Sequence, residues 1–139
     1  MTDTAMLWPG FAMAGLTLLV WLRMYVERIG QMKRLRVPPQ EVASHAGMVA
    51  RIPDSRAADN FRNLFELPVL FYLALVVATL TGQTGPVALA LAWAFVALRA
   101  LHSLIHCSYN RVMHRFAVYV AGGAVLWLLW GWLAWGLLA

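Results

Sequence analysis

From Phe116 to Ala139 the chain carries no charged side chain, while all eleven Lys and Arg residues fall between Arg23 and Arg115. Wound into a helix rising about 1.5 Å per residue, that last stretch is long enough to cross a hydrocarbon core about 30 Å thick. A helix in a soluble bundle needs a polar stripe toward water, and this segment has none. The composition agrees. Of the 139 residues, 62% are hydrophobic and 12% charged, against about 45–50% and about 25% in ordinary soluble domains. The chain reads as one all-α integral membrane domain.

A net charge of +5 would raise the question of nucleic acid in a soluble protein. No aromatic-basic platform accompanies the charge, so no nucleic-acid partner is expected. Basic residues collecting at one side of a bilayer account for it better. The single Cys107 excludes an intrachain disulfide. The first apolar run, with Asp3 before it and continuing to Leu22, reads as a span rather than a cleaved signal.

Four helices are expected, at about residues 6–34, 58–81, 86–107 and 112–138, forming a four-transmembrane-helix bundle. Thr81-Gly82-Gln83-Thr84-Gly85-Pro86 has the punctuation of a tight hairpin, with Pro86 a favoured first helical residue. The long connection at about residues 34–58 holds Pro38, Pro39, Gly47 and Pro53 among mixed charges, and Arg111 lies in the short third connection. The uncharged hairpin and both termini are therefore expected on the non-cytoplasmic side, with the first and third connections in the cytoplasm. Trp127, Trp130, Trp132 and Trp135 read as an interfacial aromatic belt. Gly122 and Gly123 suggest close helix approach.

Ionisable groups inside spans cost roughly 2.5–3.5 kcal/mol each on insertion scales, so each needs a partner or a purpose. On an unbroken second helix Asp59, Asn63 and Glu66 share a face with Arg62 beside them. Arg99, His102 and His106 form one stripe of the third helix, and Arg111, His114 and Arg115 open the fourth. A purely structural account pairs Arg99 with Glu66 or Asp59 as glue between helices. Against it, Arg62, Arg99, Arg111 and Arg115 outnumber the two carboxylates, leaving cationic donors in want of an anionic ligand. A metal at His102 and His106 lacks a fixed third ligand and faces repulsion from four arginines, so none is expected. Cys107, about 100° from His106 around the helix, reads as a buried thiol.

Four spans, a long first connection, Arg62-Asn63-x-x-Glu66 followed by Pro68, and Arg99-x-x-His102 with Arg111 and Arg115 downstream resemble the membrane-associated proteins in eicosanoid and glutathione metabolism. The likeness extends over nearly the whole chain, including Met24-Tyr25-Val26. It implies a homotrimer that binds glutathione between neighbouring subunits and conjugates its thiolate to lipophilic electrophiles, with a peroxidase reaction as the variant. By position, Arg115 matches the arginine that stabilises the thiolate. Arg62, Asn63, Glu66 and Arg99 match the tripeptide's binding residues, with His102, His106 and Arg111 beside them and Lys33 or Arg34 matching the first-helix cation. Departures exist: His106 stands where several members have tyrosine, Asp59 where many have arginine, and Phe116 where a serine assists in the prostaglandin synthase. They keep a second reading open, a non-catalytic membrane scaffold or lipid-binding protein. A transporter using His102, His106 and Glu66 is the third, without a broken helix beyond Pro68 to favour it.

Overall fold

A computed structural model describes residues 3–139. Besides 3-10 turns at Asp3–Leu7 and Pro39–Val42, six α-helices form among the described residues: α1 Trp8–Leu35, α2 His45–Arg51, α3 Arg56–Asn63, α4 Leu67–Leu80, α5 Pro86–His106 and α6 Val112–Leu138. Four stretches are long and apolar enough to cross a membrane: Thr4–Leu35, Arg56–Leu80, Pro86–Cys107 and Val112–Leu138.

The second span differs from the single helix expected at residues 58–81. It is divided into α3 and α4 by Leu64, Phe65 and Glu66. Pro68, in the first turn of α4, has no N–H to donate, and its ring would collide with the Leu64 carbonyl in a continuous helix. The chain therefore reorients at Glu66, whose φ of −94° and ψ of −107° lie outside the helical region. Asp59, Asn63 and Glu66 consequently do not share one helical stripe.

The long first connection is partly helical. The Ser44 hydroxyl caps α2 by accepting from the Gly47 N–H at 3.0 Å. At the end of α1, Val37 N–H reaches back to the Met32 carbonyl and Arg36 N–H to that of Lys33. This closing turn needs a left-handed residue, and Arg36 supplies it at φ 53° where glycine is usual. The strain is roughly 1 kcal/mol. Gly82, at φ 69°, fills the equivalent position after α4.

The bundle core is apolar and fully enclosed: Phe71 of α4 stacks on Phe95 of α5 with centroids 4.6 Å apart, amid Met6, Met13, Ala74, Ala78, Ala88, Ala92, Leu126 and Leu129. Between helices in hydrocarbon there is no water to exclude, so close contact of such small and flat groups carries the association. The outer surface is equally apolar, with Trp8, Phe11, Leu19, Val26, Leu104, Trp127 and Leu128 exposed. Trp130 departs from the belt and turns inward against the core. The glycine pair is also less demanding than expected, since a methyl at Gly122 would meet Leu98 at 3.8 Å and one at Gly123 would meet Leu67 at 3.6 Å. Those are ordinary contacts.

Candidate functional site

The last two turns of α5 place Arg99, His102, Ser103 and His106 inside the bundle, 1%, 2%, 4% and 2% exposed. Offsets of three and four put them on the face that packs against α3 and α6. Arg99 makes no ion pair with Glu66 or Asp59. Its Nη2 instead donates to the Asn63 carbonyl at 3.0 Å, and its guanidinium lies 5.5 Å from the centre of the Tyr119 ring. The helix break makes this possible. At the end of α3 the Asn63 carbonyl receives only a long 3.4 Å bond from the Glu66 N–H, so it can accept Arg99 as well. Arg99 Nε and Nη1 are buried without partners, as are Nδ1 of His102 and of His106. Buried donors in that state favour an acceptor-rich, anionic ligand.

Opposite them, the first turns of α6 carry Arg115 and Tyr119. Arg115 Nη1 donates to the Asn110 side-chain oxygen at 2.8 Å and to His106 Nε2 at 3.0 Å, and Tyr119 donates to Glu66 Oε2 at 3.1 Å. The His102 ring lies 5.7 Å from that of Tyr119. Asn63, Glu66, His102, Arg115 and Tyr119 line a cleft of about 210 Å³ with Val112 and Phe116 as its apolar side. A cationic and a carboxylate group thus face one another beside an apolar wall.

The structure brings Asn63, Glu66, His102 and Arg115 together as lining of this cleft, and places Arg99 and His106 buried behind it, Arg99 against Asn63 and Tyr119 and His106 against Arg115. Arg62 points elsewhere, donating to His45 Nδ1 at 3.1 Å and lying 3.7 Å from Asp59, against a separate pocket of about 180 Å³ beneath α2. Arg111 is exposed at the N-terminus of α6, and Lys33 and Arg34 are exposed at the end of α1. None of these three lines the cleft of a single chain. Among the described residues no group of three or more His, Cys, Asp or Glu side chains is placed to hold a metal ion.

Four contributors went unread in the sequence: Tyr119, Asn110, Asn60 and Ser103. Tyr119 follows Arg115 by one turn, a spacing that could have revealed it. Asn60 is fully buried, donates to the Cys107 sulfur at 3.5 Å and accepts from Ser103 at 3.3 Å, tying α3 to α5. A second tie fixes the α5–α6 turn. Arg23 donates to the Cys107 carbonyl at 2.9 Å, and Arg56 donates to that of Ser108 while gripping Asp54. The side-chain bond from Arg56 holds the Asp54 carboxyl below the usual carboxylate range, against a smaller opposing effect of burial.

The chain matches the family model described as MAPEG family over residues 6–135, nearly its whole length. No curated protein and no solved structure matches it.

Proposed function

The chain belongs to the MAPEG family, the membrane proteins of glutathione and eicosanoid metabolism, and from that premise we propose that it is a membrane-bound glutathione transferase acting on lipophilic electrophiles. The observation that carries this reading is Arg115 lining a cleft that also holds Glu66, with Arg99 buried behind its Asn63 and Tyr119 walls; neither arginine has a carboxylate within ion-pair distance among the described residues. Glutathione presents two carboxylates and one ammonium. Arg115 in the cleft, with the unpartnered Arg99 donors buried beside it, suits the carboxylates, and Glu66 suits the ammonium.

Arg115 is the residue proposed to act on sulfur. A guanidinium beside a thiol favours the thiolate, the form that attacks carbon. The new carbon–sulfur bond forms as the leaving group departs with its electron pair, and the thiol proton passes to solvent. Asn110 and His106 fix the guanidinium from behind. The apolar side at Val112 and Phe116 offers a lipid-borne electrophile a way to the same cleft. In this proposal three copies assemble, and Arg62, Arg111, Lys33 and Arg34 meet the ligand only where one copy faces the next.

Detergent-purified protein should conjugate a halonitrobenzene to glutathione, and Arg115→Ala should lower that rate at least tenfold. An unchanged rate in the variant removes Arg115 from the chemistry. The scaffold reading, favoured by Asp59 engaging Ser55 and Arg62 outside the cleft, predicts no calorimetric heat and no thermal stabilisation at millimolar glutathione.

A further inference from the structure

His106 is the last residue of α5, only 2% exposed, and it does not line the cleft. Its link to that space is Arg115, whose Nη1 meets the imidazole Nε2 at 3.0 Å. We propose that His106 is a positioning residue for the conjugation reaction, a neutral acceptor that holds the Arg115 guanidinium at the cleft without cancelling its charge. This role rests on the transferase reading and deepens it, because it leaves the guanidinium a full cation toward a thiol.

The α5–α6 turn brings the two side chains together. Asn110 N–H closes the end of α5 on the Ile105 carbonyl, and the first turns of α6 return Arg115 to His106, nine residues earlier. A guanidinium only donates, so the ring nitrogen it bonds must present a lone pair. The imidazole is therefore uncharged, with its proton on Nδ1. Nδ1 is buried without a partner, so the hydrogen bonding of the ring is directed at Arg115 alone. The His102 ring stands edge-on to it at 5.5 Å and 86°, which restricts its rotation. The second acceptor of Arg115, the Asn110 side-chain oxygen at 2.8 Å, is neutral as well.

The other charged groups around this ring are engaged elsewhere. Arg99 bonds the Asn63 carbonyl, Glu66 accepts from Tyr119, and Asp59 accepts from Ser55 and lies beside Arg62. Among the described residues Arg115 thus has two neutral acceptors and no carboxylate within 4 Å. An ion pair would hold it as firmly, yet would offset the positive charge that favours a thiolate.

The test is a pH titration of glutathione bound at saturation to the detergent-purified full chain, followed by the ultraviolet absorbance of the thiolate. On ionisation the S–H proton leaves to solvent and its electron pair stays on sulfur. In the wild type the bound thiol should titrate about one unit or more below free glutathione. His106→Phe removes the acceptor and should cut the thiolate fraction at neutral pH by about threefold or more. His106→Gln restores a neutral acceptor and should recover most of that loss. His106→Glu keeps an acceptor but adds a negative charge, and should lose thiolate as the phenylalanine variant does. A purely structural defect would not sort the three by the charge of the acceptor. Wild-type protein that binds no glutathione overturns the transferase reading and this role together. Bound glutathione with a thiol equally acidic in the wild type and every variant overturns the role alone. So does a glutamate variant that matches the wild type, or a glutamine variant as weak as phenylalanine. Should the glutamate variant fail to fold, the contrast between glutamine and phenylalanine decides.

Discussion

Asn110 sits at φ 51° in the turn between α5 and α6, a conformation asparagine tolerates better than most residues. Its backbone N–H closes the end of α5 on the Ile105 carbonyl at 2.9 Å, and its side chain accepts from Arg115. Asn110→Gly keeps the turn and deletes only the second bond. A hydrogen bond to a charged group contributes about 1.5–3 kcal/mol; because this one is only partly buried, the lower figure applies. The expected outcome, read by paired kinetic and thermal assays, is a conjugation rate down by about tenfold; the melting temperature should stay nearly unchanged because glycine relieves about 1 kcal/mol of left-handed strain at this position. Asp54 gives a pH signature. Its folded-state carboxyl titrates below the unfolded one because Arg56 bonds the ionised form. The associated stability is fully present above the ordinary carboxylate value of about 3.9 and disappears as pH falls through the lowered value. Wild type should therefore melt above Asp54→Asn at neutral pH, with the gap closing below about pH 4; a gap unaffected by acid would contradict the assignment. Arg99, His102 and His106 were legible in the sequence because charge inside an apolar run is conspicuous and their spacing is helical. Asn60, Asn110 and Tyr119 were not, since an asparagine in a turn or a tyrosine in an uncharged span looks ordinary until tertiary contacts give it a partner.

At the level of elements, the positions of the spans followed from hydropathy, but the division of the second one did not. Pro68 marked a helix start without saying that the chain would turn at Glu66 three residues beyond the end of α3. The consequence is functional, because the carbonyl of Asn63 is open to Arg99 only where the helical ladder is interrupted. Two glycines separate sharply in what their elements demand. A Cβ on Gly47 of α2 would overlap the backbone carbonyl of Glu41, while one on Gly136 of α6 would overlap the side-chain amide of Gln83. Gln83 can swing away, losing its 3.1 Å bond to the Leu133 carbonyl at a cost of about 1 kcal/mol; the Glu41 backbone has no such freedom. Helix propensity alone favours alanine at position 47 by about 1 kcal/mol, so the clash must reverse the usual sign. Gly47→Ala should speed proteolysis within residues 38–52 severalfold, whereas at Gly136→Ala the lost bond and the gain in helix propensity nearly cancel, leaving that rate and the melting temperature nearly unchanged.

Across the whole molecule the two ends of the bundle are chemically opposite. Arg23 on Cys107, Arg56 on Ser108 and Arg115 on His106 bring the end of α5, the starts of α3 and α6 and the middle of α1 to one level, with the last turns of α1 extending beyond it. Gln83 against Leu133 joins the α4–α5 hairpin to the far end of α6, where no Lys or Arg occurs. The membrane potential and the translocation machinery act on that difference, retaining Lys and Arg on the cytoplasmic side. The cleft, which opens at the cationic level, would then face the compartment where a water-soluble thiol is abundant, while the exposed apolar ridges of α1 and α6 stay in hydrocarbon. Topology thus decides whether the proposed chemistry has its substrate. Cysteines introduced at Gln40 and Gly85, both exposed and at opposite ends, read it directly, because native Cys107 is buried at 8% exposure and contributes little background. In intact cells an impermeant maleimide should label Gly85→Cys and spare Gln40→Cys until the membrane is opened. The reverse pattern would put the arginines on the wrong side of the bilayer for a cytoplasmic co-substrate, and the transferase reading would have to be abandoned even with the cleft unchanged.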